Sequence, residues 1–191
     1  MIERLVLGPL QTNCYILYKN NSAIVVDPAD EGDYIAQYLA DRELELYAIF
    51  ATHGHHDHIA GATALSLITN TPLYIAKEDV PLLNRLQQTH KHFTGLNPGP
   101  NPKDIVLIDR KEFVFPDLKI EVVSLPGHTP GGVGIIFEDN LFSGDILFAD
   151  GRAGETSHSY SSPIKMAESI HFVKDFKGRV YPGHGDYFLL P

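Results

Sequence analysis

The sequence predicts an α/β protein in which two β-sheets pack face to face with helices outside. Three observations carry this. Short apolar runs, many of them β-branched, recur along all 191 residues. Segments with helical spacing fall between those runs. A loop over 93–102, with three prolines and two glycines in ten residues, separates two strand-rich halves.

Strands are predicted at Ile2 to Leu7, Asn13 to Tyr18 and Ala23 to Val26, parted by the turn chemistry of Gly8-Pro9 and Asn20-Asn21-Ser22. Asp27-Pro28 closes the third. Ile35, Tyr38 and Leu39 predict a helix over Gly32 to Asp41. Leu46 to Ala51 reads as a buried strand running into Thr52-His53-Gly54-His55-His56-Asp57-His58. A helix follows at Ala60 to Ile68, then a strand at Pro72 to Ala76 and a helix at Lys77 to Leu86. Beyond the dividing loop, strands are expected at Ile105 to Ile108, Phe113 to Phe115, Lys119 to Leu125, Val133 to Phe137, Asn140 to Ser143 and Gly178 to Pro182. Asp150 to Ser162 is too polar and irregular for either element. Pro163 suits the first turn of a helix reaching about Phe176.

Length places the whole chain, 1–191, in the range of a single domain. No apolar run is long enough to span a bilayer, and Gly8-Pro9 breaks the first apolar stretch, so neither membrane nor secretion signal is expected. One cysteine, Cys14, cannot form an internal disulfide, and the expected compartment is the cytoplasm. The net charge of −9 argues against a nucleic-acid partner, which needs a basic footprint. A small-molecule substrate is expected instead.

The chemistry concentrates in histidine. His53-x-His55-x-Asp57-His58 follows a buried strand and precedes a helix. Alternation along extended backbone puts His53 and His55 on one side, able to share a metal. Asp57 and His58, past the turn, can face a second. Three later sites repeat the setting of a strand end beside glycine: His128 in Pro126-Gly127-His128-Thr129-Pro130-Gly131-Gly132, Asp145 in Ser143-Gly144-Asp145, and His184 in Gly183-His184-Gly185. Such strand termini are where α/β sheets usually bind ligands. His56 is read as facing away, His90 and His92 as surface residues, and His171 as structural. Nitrogen and oxygen donors without sulfur suit zinc, iron or manganese.

In this order the motifs resemble those of the metallo-β-lactamase superfamily, and within it the glyoxalase II-like hydrolases, whose opening is similar to Leu7-Gly8-Pro9-Leu10-Gln11-Thr12-Asn13-Cys14-Tyr15. The resemblance implies a four-layer αββα sandwich with two divalent metal ions, zinc foremost. It implies that His53, His55 and His128 hold one metal, that Asp57, His58 and His184 hold the other, and that Asp145 bridges them. Hydrolysis of a thioester or related acyl ester follows, by water whose pKa the two metals lower. Asp57 would also act catalytically by orienting that water. Arg152, His158 and Tyr160, in the loop expected to overhang the metals, are the candidate substrate contacts. Gly154 stands where small glyoxalase-like relatives carry an aspartate, and the helical region that follows Gly-His-Gly in glyoxalase II is missing here. A persulfide dioxygenase with one iron, and a phosphodiesterase or nuclease, are the alternative activities. A bridging Asp145 resembles the hydrolase branches more than the antibiotic-degrading ones.

Overall fold

The computed structural model describes residues 1–190 and has two mixed six-stranded sheets. The first runs β1 (Ile2–Leu7), β2 (Thr12–Lys19), β3 (Ser22–Val26), β4 (Glu45–Phe50), β5 (Leu73–Ile75), β6 (Ile105–Leu107) in that spatial order. The second has the spatial order β12 (Phe188–Leu189), β11 (Arg179–Pro182), β10 (Asn140–Gly144), β9 (Val133–Phe137), β8 (Lys119–Ser124), β7 (Glu112–Val114). In each sheet parallel pairs sit beside antiparallel ones: β3 with β4 in the first, β10 with β11 in the second. The αββα sandwich expected from the motifs is the observed architecture.

Strand periodicity divides the core. On β2, Tyr15 and Leu17 face the second sheet, packing with Phe50, Phe113, Ile135 and Phe142. Their neighbours Cys14 and Ile16 face the other way, onto α1 (Gly32–Ala40) and α3 (Ala62–Thr69) through Ile35, Leu39 and Leu65. Strands buried on both faces read as continuous apolar runs, as Ala23 to Val26 does. On the far side, α6 (Pro163–Asp175) lays Met166 and Val173 on Leu141 and Val180 of the second sheet. Burying each large side chain contributes about 1.5–3 kcal/mol against the entropy of ordering it.

Four features differ from the sequence expectation. A separate short helix, α2 (His56–Ile59), carries the second half of the histidine motif. The expected helix over Lys77 to Leu86 is a 3-10 turn at Lys77–Asp79, then α4 (Val80–Leu83), then α5 (Leu86–Thr94). Pro81 is the reason for the restart, since it has no N–H to give and suits a first turn. Helix α5 therefore extends into the expected loop and ends only at Gly95, whose φ is 76°. Because α5 continues, His90 falls one turn beyond Leu86 on its buried face; it is 2% exposed, not a surface residue. The tail also adds β12, which pairs with β11 through Val180 and Phe188.

The two sheets are laced together at one edge. Val133 N donates to Thr52 O across 2.8 Å, and Asn13 N donates to Gly183 O across 2.8 Å. That edge is where β3 and β4, and likewise β10 and β11, reach their C-terminal ends. No helix among the described residues is long and apolar enough to cross a membrane.

Candidate metal centre

The seven candidate ligands reach this edge on the segments that follow strand ends. His53 and His55 follow β4, Asp57 and His58 lie on α2, His128 follows β8, Asp145 follows β10 and His184 follows β11. Gly127, at φ 136°, lets the chain turn where a Cβ would lie 2.3 Å from Met166 N. Gly183 is required by proximity, because a Cβ there would stand 2.1 Å from Asp145 Oδ1.

His53, His55 and His128 offer three nitrogens at one point. His53 Nε2 is 3.1 Å from His55 Nδ1, and His128 Nε2 is 2.9 Å from the same atom. Ligand atoms at ~2.0–2.1 Å from one tetrahedral metal are only a little over 3 Å apart, so the spacing fits a shared cation. Asp57, His58 and His184 form a second group. His184 Nε2 stands 3.3 Å from Asp57 Oδ2, and His58 Nε2 3.5 Å from the same oxygen. Asp145 lies between the groups, with Oδ2 3.5 Å from His184 Nε2 and 3.7 Å from His128 Nε2.

The outer nitrogens are anchored, which fixes the inward ones. His128 Nδ1 donates to the Glu155 carbonyl at 2.7 Å. His58 Nδ1 donates to Asp27 Oδ2 at 2.8 Å. Thr52 Oγ1 donates its only proton to Asp27 Oδ2, so it accepts from His53 Nδ1 at 3.1 Å. His55 Nε2 pairs with the Tyr160 hydroxyl at 2.9 Å. Nε2 of His53, His58 and His128, and Nδ1 of His55, thereby face inward, the orientation that metal-ligating imidazoles require. Two buried atoms of the cluster, His58 Nε2 and Asp145 Oδ1, have no hydrogen-bond partner. Orphaned polar atoms at a convergent oxygen–nitrogen site fit a cation, which would satisfy both.

Electrostatics separate the halves. Burial, then the neighbouring imidazoles, hold His53 well below its ordinary pKa, and burial with His128 brings His55 down to about 3. His128 is lowered too, chiefly by burial. This triad is neutral and ready to ligate. Burial also pulls on His58 and His184, yet the Asp57 and Asp145 carboxylates outweigh it; His58 is raised and His184 reaches about 9. Asp57 and Asp145 are held low, because His58 and His184 overcome the burial penalty. Without metal, protons on His58 and His184 do the neutralising.

The loop residues divide. Tyr160 reaches the cluster through His55. His158 stacks on Tyr160, its ring 5.6 Å from that of His55. The Arg152 side chain is 82% exposed and paired with Asp150 at 2.7 Å. It borders a cleft of about 460 Å³ shared with Phe148, His184 and Asp186. His56 turns away from the cluster, its Nδ1 3.3 Å from His90 Nδ1 and its ring stacked on Phe93. His92 is exposed on α5. His171, on α6, lies 3.3 Å from Asp175.

Three supporting residues escape sequence reading: Asp27, Asp79 and Thr12. Thr12 Oγ1 donates to Asp57 Oδ2 at 2.9 Å. For Asp27 a signal existed, since a carboxylate ending a buried strand is seldom left without partners. Nothing local marks the other two.

Two facing mixed sheets thus carry, at one edge, a histidine–aspartate cluster able to hold metal ions. The chain belongs to the metallo-β-lactamase superfamily, whose model matches residues 7–184. It is 32% identical over 176 residues to a probable polyketide biosynthesis zinc-dependent hydrolase of Bacillus subtilis, covering 90% of this chain and 72% of that one. It is 31% identical over 196 residues to the hydroxyacylglutathione hydrolase GloC of Haemophilus influenzae, covering 99% and 92%. The solved B3 metallo-β-lactamase BLEG-1 superposes with a TM-score of 0.89 at 29% identity, covering 99% and 94%.

Proposed function

We propose that this chain is a dinuclear hydrolase of thioesters or related acyl esters. His53, His55 and His128 would hold one divalent cation and Asp57, His58 and His184 the second, with Asp145 placed to serve both. The observation that carries the reading is Asp145, whose Oδ2 lies within 3.7 Å of a nitrogen from each group, while its Oδ1 is buried without a hydrogen bond, 3.5 Å from His58 Nε2. Zinc is the first expectation, with iron or manganese compatible with the same donors.

When two cations are bound, they supply Lewis acidity that lowers the pKa of water and polarises an acyl carbonyl. The chain's own groups organise the rest. Asp57, fixed by Thr12, is a carboxylate throughout the neutral range and orients the attacking water as an acceptor. Tyr160, 2.9 Å from His55 Nε2, stands beside the first group, where its hydroxyl can meet the substrate. Arg152 and the cleft beside His184 lie where the non-reacting end of a substrate would rest, and His158 braces Tyr160. A small-molecule substrate fits the charge of −9, which disfavours a nucleic acid, and a cytoplasmic location fits the single cysteine.

Two supports come from the relatives. GloC, a hydroxyacylglutathione hydrolase, is covered over 92% of its length. The B. subtilis relative is a probable zinc-dependent hydrolase. The likeness to BLEG-1 favours a second reading, β-lactam ring opening, which is acyl hydrolysis by the same machinery.

The test is a substrate panel with metal-loaded protein: S-lactoylglutathione and other acyl thioesters, aryl esters, nitrocefin, bis(p-nitrophenyl) phosphate, and glutathione persulfide with oxygen uptake. Thioester cleavage that Asp145→Ala abolishes is expected. Turnover of only nitrocefin, only the phosphodiester or only the persulfide would replace the reading.

A further inference from the structure

Asp79 lies outside every ligand motif, ends the 3-10 turn after β5, and is fully buried. Its carboxylate accepts three hydrogen bonds from two separate loops. Oδ2 takes Gly54 N at 2.8 Å and Thr129 Oγ1 at 2.7 Å, and Oδ1 takes Gly131 N at 2.6 Å. Gly54 lies between His53 and His55; Thr129 follows His128. One side chain therefore ties the loop bearing two imidazoles to the loop bearing the third.

The contact is close on both sides. A Cβ at Gly54 would lie 2.9 Å from Asp79 O, and one at Gly131 would lie 2.8 Å from Asp79 N. Both loops press bare backbone onto this residue, which explains the glycine inside His53-x-His55 and the one following Pro130. No comparable bond joins Asp79 to Asp57, His58 or His184 among the described residues. A buried carboxylate with charge-assisted bonds to both loops resists their separation far more than neutral contacts do.

We infer that Asp79 is a positioning residue for the three-imidazole half alone, setting the spacing of His53, His55 and His128 and so that half's affinity for metal. The inference rests on reading those three residues as ligands. Asp79→Asn keeps the shape but offers one acceptor oxygen where three donors converge, and turns an NH2 group towards at least one of them.

The experiment isolates each half. In a His184→Ala background Co2+ binding reports the imidazole triad; in a His128→Ala background it reports the other group. Affinities come from chelator competition and the visible Co2+ spectrum. Asp79→Asn is expected to weaken Co2+ binding about 10-fold in the first background, the lower end of what a supporting group typically contributes. It should change binding less than threefold in the second. Equal losses in both would make Asp79 merely structural and overturn the inference, as would no loss in the first. If Asp79→Asn does not fold by circular dichroism, Thr129→Val removes one of the three bonds and must show the same asymmetry. Failure of the unsubstituted protein to bind any Co2+ would instead bring down the metal centre itself, and the inference with it.

Discussion

His58 donates through Nδ1 to Asp27 Oδ2 across 2.8 Å, and both side chains are almost wholly buried. The same carboxylate accepts from Thr52 N and Thr52 Oγ1, each at 2.7 Å. Asp27 thus fixes the tautomer of His58 and, through Thr52, the ring of His53. It joins the two halves of the cluster from behind.

Replacing Asp27 with Asn should loosen both rings, since an amide cannot accept three donors without turning its NH2 group on one of them. Metal affinity is expected to fall about 10–100-fold, as measured by chelator competition. Asp27→Ala should in addition lower the unfolding free energy by about 1–3 kcal/mol for each buried donor left without an acceptor, namely His58 Nδ1, Thr52 N and Thr52 Oγ1.

The two halves should answer pH differently. His55, brought to about 3, is a neutral imidazole at pH 7, so filling the imidazole triad should release almost no protons. His184, at about 9, must lose a proton to ligate, so filling the second group should release protons below that pH and tighten as pH rises towards it. Titration calorimetry at pH 7 in buffers of different ionisation enthalpy counts the protons directly. For the metal-free protein the sign is opposite. A raised His184 pKa adds stability that is complete below about 6.5, the ordinary value, and is lost as pH climbs through about 9. Its melting temperature should therefore fall over that window.

Gly183→Ala places a methyl group 2.1 Å from Asp145 Oδ1 and 2.5 Å from His58 Cε1. One of them must move. Overpacking of this kind costs about 1–3 kcal/mol, and metal content by elemental mass spectrometry should drop by about half as the second group is disrupted. An unchanged metal count with unchanged melting would contradict the close approach.

Chelation should destabilise the fold. Binding to the native state alone contributes about 4 kcal/mol at a thousandfold excess of metal over Kd. For a chain of this length each kcal/mol moves the melting temperature by about 2–4 °C, so a drop on the order of 10 °C is expected in differential scanning calorimetry. Equal melting with and without chelator would show that the cluster holds no metal in the folded protein.

The seven motif residues and most strands were legible in the sequence because their signals are local. His53-x-His55-x-Asp57-His58 needs only the alternation of a strand and one turn, and His128, Asp145 and His184 each advertise a strand end by adjacent glycine. Helix boundaries between Lys77 and Thr94 were less legible, since Pro81 and the shared burial of Leu86 and His90 settle them in a mostly polar stretch. The tertiary structure alone decided which distant groups support the cluster. Asp27 meets His58 across 31 residues of chain, and Asp79 meets Thr129 across 50. An isolated carboxylate carries no periodicity, and its partners exist only once two sheets pack edge to edge. The protonation pattern likewise depends on burial and on charges brought together from both sheets, and no spacing along the chain encodes those.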